Sequence, residues 1–282
     1  MLTDMKPMPA QIAALMDTYT ILIAFGLTLI AGLSTGIGSL IAFFTDKTNT
    51  TFLTVALGFS AGVMLFVSFV DIFPTTVSSF GTSFGDNAML AATVTFFAGM
   101  GLIALIDFLI PEEDNPHEAA MVEDIGKPFM PEKKFRRMGL FVALSIAIHN
   151  FPEGLATFAV SLQGIEFALP IVIAIALHNI PEGIAVSVPI YHATGDRRKA
   201  FRLSLLSGLA EPLGALAGYF ILMPFWNNTI EGALMGITAG IMVYISLDEL
   251  LPTSEKYGKH HYSIIGLVLG MMVMAASIIL LK

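Results

Sequence analysis

Eight apolar stretches leave this chain few folds to choose from. They lie at roughly 20–44, 51–73, 88–110, 138–161, 166–190, 200–225, 231–251 and 262–281. Each holds about 20 to 26 residues, enough for a helix to cross a hydrocarbon core of about 30 Å. No water reaches backbone groups inside such a core, so each stretch must close its own hydrogen bonds as a helix. Charged residues make up 13% of the chain and apolar ones 55%, where soluble domains carry about 25% charge. The expected fold is all-α: a polytopic membrane protein of eight transmembrane helices forming one transporter-sized domain over 1–282. The first run is longer than the apolar core of a cleaved signal peptide and reads as a retained span.

Basic residues set the orientation. The connections after spans 1, 3, 5 and 7 hold Lys47, Lys127, Lys133, Lys134, Arg136, Arg137, Arg197, Arg198, Lys199, Lys256 and Lys259, and Arg202 begins span 6. Only Lys6 and Lys282 remain for the other side. The positive-inside rule places both termini outside and the long 111–137 connection inside. Trp226 and Tyr191 fall at span ends, where interfacial aromatics belong. The 111–137 segment, with His117 among Glu112, Glu113, Asp114 and Glu118, reads as a solvated loop or as a weak metal-catching segment.

The chain repeats itself. Gly58-Phe59-Ser60-Ala61-Gly62-Val63-Met64 in span 2 aligns without a gap to Gly236-Ile237-Thr238-Ala239-Gly240-Ile241-Met242 in span 7, and the match runs on through Ser68 and Ser246, Asp71 and Glu249, Pro74 and Pro252. In spans 1 and 6, Gly32 pairs with Gly208 and Gly38 with Gly214, which sets Thr35 opposite Glu211. The alternating topology makes these partners cross in opposite directions. The expectation is an inverted repeat of three plus two plus three: three-helix units at about 20–110 and 200–281 flank central helices at about 138–190. Such repeats belong mainly to transporters, with sites near the midplane.

The two central spans carry the polar chemistry. His149-Asn150-Phe151-Pro152-Glu153-Gly154 recurs 29 residues later as His178-Asn179-Ile180-Pro181-Glu182-Gly183. Residues i and i+4 share a helix face, so each glutamate projects with its histidine, and the asparagine lies within reach. Pro152 and Pro181 remove the hydrogen bonds to the carbonyls of Ile148 and Leu177, and are expected to interrupt the helices beside the ligands. Glu211, followed by Pro212, repeats the theme in span 6. Three carboxylates at this depth cost on the order of 10 kcal/mol together unless neutralised. Spans 4 and 5 hold no lysine or arginine in their interiors, so a divalent cation or protons must do it. Imidazole, carboxylate and carboxamide suit borderline divalent ions: zinc, iron, manganese, cobalt, or cadmium as a mimic. One ion or two fit the pattern. Asp71, at the expected outer end of span 2, reads as an acidic entry; Asp107, Asp248 and Glu249, at inner ends, read as an exit.

Other chemistries are poorly supplied. The chain has no cysteine, so there is neither a disulfide framework nor a thiolate ligand. A net charge of −8 is no nucleic-acid signature. An intramembrane metalloenzyme would use similar ligands, yet no His-Glu-x-x-His is present. A proton-coupled carrier of an organic solute is the remaining alternative.

The paired motifs resemble those of the ZIP family of divalent-metal transporters, specifically its bacterial members, and the likeness extends over all eight spans. The resemblance implies a metal site between spans 4, 5 and 6, with His149, Asn150, Glu153, His178, Asn179, Glu182 and Glu211 as ligands. It also implies uptake across the cytoplasmic membrane, zinc-favouring but broad selectivity, homodimers, and a bundle of spans 1, 4, 5 and 6 sliding against spans 2, 3, 7 and 8. Gly58, Ala61, Gly62, Gly236, Ala239 and Gly240 are expected to form the sliding surface. Many relatives have a histidine-rich inner loop where this chain has only His117. The metal is cargo; no prosthetic group is expected, and the other partner is the lipid bilayer.

Overall fold

The computed structural model describes residues 18–43, 50–109, 147, 150–162, 164–194, 196–222, 225–256 and 259–281. His149, the first part of span 4 and the 111–137 loop with His117 lie outside them. Every described element is helical. Helix α1 is Thr18–Phe43. Helix α2 (Thr50–Val67) continues through a π turn (Ser68–Ile72) into α3 (Phe73–Phe84). Helix α4 is Ala88–Leu109, and α5 covers 150–161. Helix α6 (Ile165–Thr194) is followed by α7 (Arg197–Gly208) and α8 (Ala210–Ala217). Helix α9 (Asn228–Ile245) passes through a π turn (Ser246–Leu250) into α10 (Leu251–Lys256), and α11 is His260–Leu281.

Five helical segments among the described residues are long and apolar enough to cross a membrane: Thr18–Leu40, Thr50–Phe108, Arg197–Ile221, Asn228–Glu255 and His260–Leu280. The 59-residue segment folds back on itself at Gly85, whose φ of 54° suits glycine. Outward-facing side chains are apolar, among them Phe97, Phe108, Phe220 and Ile279, as lipid-facing surfaces require. Buried Met64, Met235, Met242 and Met274 fill the interior with Leu57, Val67 and Ile245. The chain is a multi-pass membrane protein.

Two helices run on past their expected ends. Span 2 was expected to stop at residue 73, before Pro74, and span 7 at 251, before Pro252. Both helices instead pass through the proline. Each π turn lies immediately ahead of it, so the wider register absorbs the missing N–H. The bounds match at a constant offset: Thr50–Val67 and Ser68–Ile72 on one side, Asn228–Ile245 and Ser246–Leu250 on the other.

Glycines mark where backbones touch. A Cβ on Gly58 or Gly62 would strike the Ser263 or Leu267 carbonyl of α11, and one on Gly240 the Phe96 carbonyl of α4. Gly236 packs against Thr95, also on α4. The glycines expected to form a sliding surface therefore seal α2 to α11 and α9 to α4. A second set joins the other helices: Gly38 meets Ile180, Gly214 meets Phe151, Gly183 meets Thr35, Gly154 meets Glu211, and Gly32 and Gly208 meet each other. Helix α2 and helix α9 run antiparallel, since Ser254 bonds the Thr54 carbonyl at one end while Thr229 bonds Ser83 at the other.

Candidate metal site

The site is built where α1, α5, α6 and the α7–α8 junction meet. Helix α6 runs unbroken through Pro181 and forgoes a single hydrogen bond there, so the expected interruption of the second motif helix is absent; the residues just before Asn150, where Pro152 would act, lie outside the described residues. The interruption lies in span 6. Helix α7 stops at Gly208, Leu209 flattens to ψ −9°, and α8 restarts with Glu211 in its first turn. Pro212 supplies the cause, because it cannot bond the Gly208 carbonyl. That carbonyl lies against Gly32, where a Cβ would approach to 2.4 Å.

Glu153, Glu182 and Glu211 are all buried, as are Asn150, His178 and Asn179. Among the described residues no lysine or arginine is buried. The polar contacts cross between helices. His178 Nε2 lies 2.9 Å from Glu153 Oε1 of the other motif. Asn179 Nδ2 donates to Glu211 Oε1 and, at 2.9 Å, to the Ala31 carbonyl. Asn150 Nδ2 donates to the Ser207 carbonyl at 3.2 Å. Both carboxamides thus anchor on backbone carbonyls through their N–H groups and leave their oxygens buried. Asn150 Oδ1, Asn179 Oδ1 and Glu211 Oε2 meet no hydrogen-bond donor among the described residues. Glu211 feels the negative charge of both Glu153 and Glu182, so the three carboxylates share one region. No three His, Cys, Asp or Glu side chains among the described residues converge tightly enough to hold a metal ion; these groups stand in pairs, and His149 is not among the described residues.

Asp71 is not at a helix end. It sits in the π turn, buried, with the 12-residue α3 beyond it, a further rise of about 18 Å. A cavity of about 90 Å³ joins it to the site: Asp71 and Thr75 line one part, Glu153 and Thr157 another, with Thr238 and Met242 of α9 alongside. That is room for a few waters. Asp107 and Asp248 lie together around Tyr244 at the other end of α4 and α9. They and Glu249 do not line the cavity, and the helix continues past Asp248 and Glu249 to Lys256. The cavity-lining threonines were not singled out from sequence, and neither was Ser60, which donates to the His178 carbonyl at 3.4 Å; hydroxyls are common in membrane helices and give no motif.

A family model described as ZIP Zinc transporter matches residues 112–278. The chain belongs to the ZIP zinc transporter family. It is 60% identical over 259 residues to the zinc transporter ZupT of Streptococcus mutans, covering 91% of this chain and 97% of that one. It is 55% identical over 274 residues to the ZupT of Clostridium perfringens, with 92% and 96% covered. The ZupT of Lysinibacillus sphaericus is 56% identical over 264 residues, with 93% and 98% covered. Membership of a transporter family removes the metalloenzyme alternative.

Proposed function

We propose that this protein carries zinc, and with it iron, manganese, cobalt and cadmium, across the cytoplasmic membrane into the cytoplasm. The ion is held at His149, Asn150, Glu153, His178, Asn179, Glu182 and Glu211. The observation that carries the reading is three carboxylates, Glu153, Glu182 and Glu211, buried together without a described lysine or arginine beside them. A divalent cargo completes that charge pattern, and buried carboxamide oxygens add neutral ligands for one ion or two. The relatives' name, zinc transporter, supports zinc as the first cargo. Ions enter past Asp71 through the cavity that reaches Glu153, and leave towards Asp107, Asp248 and Glu249.

The transport cycle is alternating access between two groups of helices in a single eight-span domain. The matched contacts support a 3+2+3 inverted repeat: Gly38 with Ile180 mirrors Gly214 with Phe151, and Gly183 with Thr35 mirrors Gly154 with Glu211. Glycine contacts tie α2 to α11 and α4 to α9 in one group, and α1, α5, α6 and α7–α8 in the other. The surface between the groups carries larger side chains, Val67, Val160, Ile171, Ile175 and Met235 among them. Both termini face outward, and the protein works as a homodimer. Purified protein in liposomes is expected to take up radiolabelled zinc down its gradient. Uptake of an organic solute with no zinc flux would sink the reading.

A further inference from the structure

Thr35 is the structural mate of Glu211, and their surroundings correspond contact by contact. A Cβ on Gly183 would meet the Thr35 carbonyl at 1.9 Å, and one on Gly154 the Glu211 carbonyl at 2.0 Å. Asn179 caps the carbonyl of Ala31, four residues before Thr35; Asn150 caps that of Ser207, four before Glu211. The correspondence ends at the side chains: Asn179 also donates to Glu211 Oε1, whereas Thr35 Oγ1 has no partner among the described residues and Ser34 also donates to the Ala31 carbonyl.

The Thr35 hydroxyl is uncommitted for a traceable reason. Helical threonines and serines ordinarily bond the carbonyl one turn back. Thr28 does so to Ala24, Ser39 to Thr35 and Thr157 to Glu153. For Thr35 that carbonyl belongs to Ala31 and is held by Asn179. Thr35 is fully buried, and its Oγ1 has no hydrogen-bond partner among the described residues. Helix α7 makes room for it with Gly208, where a Cβ would come within 2.8 Å of that oxygen.

We propose that Thr35 is a further member of the metal site, a neutral oxygen ligand in the half built from Asn150 and Glu182, and that its lack of charge makes this half the weaker of two. The proposal rests on the metal-site reading above. The Glu211 half carries the extra carboxylate and fills first; the Thr35 half fills second and empties first. A site with two equal, fully charged halves would hold its ions too firmly to release them, and an uncharged position 35 avoids that.

Cadmium titration of the purified full chain in detergent tests this, with thermal unfolding as the check on folding. The wild type is expected to show two steps. Thr35→Glu should tighten the weaker step by about tenfold or more. Thr35→Val, equal in volume, should loosen that step by about threefold or more and leave the tighter one within about twofold. A single step in the wild type, or Thr35→Val titrating like wild type in both steps, overturns the proposal; should Thr35→Glu not fold, Thr35→Val decides alone. If Glu211→Gln also leaves cadmium binding unchanged, the metal-site reading goes with it.

Discussion

Glu153 and His178 come from different motifs and meet at 2.9 Å, so each motif completes the other. Helix periodicity led to the expectation that each glutamate projects with its own histidine; it cannot show that the neighbouring helix sets the other motif's histidine beside Glu153. That the two motifs belong together was legible because six residues recur in order inside apolar runs, where polarity is costly. The cross-pairing was not, because it depends on the rotation of α5 against α6. Glu153→Ala removes a carboxylate that lines the cavity and touches His178. Zinc uptake should fall by about 10- to 100-fold or more, while the amount of protein in the membrane stays the same; undiminished flux in liposomes would exclude Glu153 from the path. Asn150 has a second task that sequence did not reveal, since its amide holds the Ser207 carbonyl at the break in span 6. Asn150→Ala leaves that buried carbonyl unsatisfied and should cost about 1–3 kcal/mol, read as a lower melting temperature in detergent even without metal.

At the scale of the element, prolines and glycines were visible in the sequence but their effects were misplaced. Pro74 and Pro252 were expected to lie just beyond helix ends, yet a π turn ahead of each lets the helix continue. Pro181 was expected to interrupt its helix and does not, whereas Pro212, after the flattened Leu209, does. A proline removes one N–H in every case; whether the helix then bends, widens or breaks depends on what packs against the freed carbonyl. The Gly208 carbonyl is received by Gly32, a residue with no side chain to keep it away. Glycine spacing likewise announced close packing without saying which partner helix each face would meet. Gly183→Ala tests one of the closest of these contacts, because its Cβ would lie 1.9 Å from the Thr35 carbonyl, a backbone atom that cannot swing aside. A loss of about 3 kcal/mol or more is expected. Gly101→Ala, with nothing within 4 Å of its Cβ, should melt within about 1 kcal/mol of wild type. Equal melting of the two variants would mean the α1–α6 contact is looser than described.

For the whole molecule, the repeat was legible because a constant offset carries Gly58 to Gly236 and Ser68 to Ser246, and the structure adds that the helix bounds and π turns keep that offset. What the sequence reading misplaced is the glycine faces: assigned to a moving boundary, they turn out to hold α2 to α11 and α9 to α4. On the proposed transport cycle the boundary then runs through the larger side chains around the cavity, and that has a mechanical consequence. Bonds within a group should be harmless to transport and bonds across the boundary should stop it. The chain lacks cysteine, so introduced pairs report without background. Ser83→Cys with Thr229→Cys joins α3 to α9 inside one group, where the native hydroxyls lie 2.8 Å apart. Oxidising that pair should leave zinc uptake near the reduced level. Val160→Cys with Met235→Cys places thiols on opposite walls of the cavity, one from each group. Bridging them with a short bifunctional maleimide should stop uptake, and because its thioether links are not reducible, reducing agents should not restore it. Uptake that survives the Val160–Met235 bridge would show that the two groups do not move past each other, and the transport cycle would have to be sought in local motions of α5 and the α7–α8 junction instead.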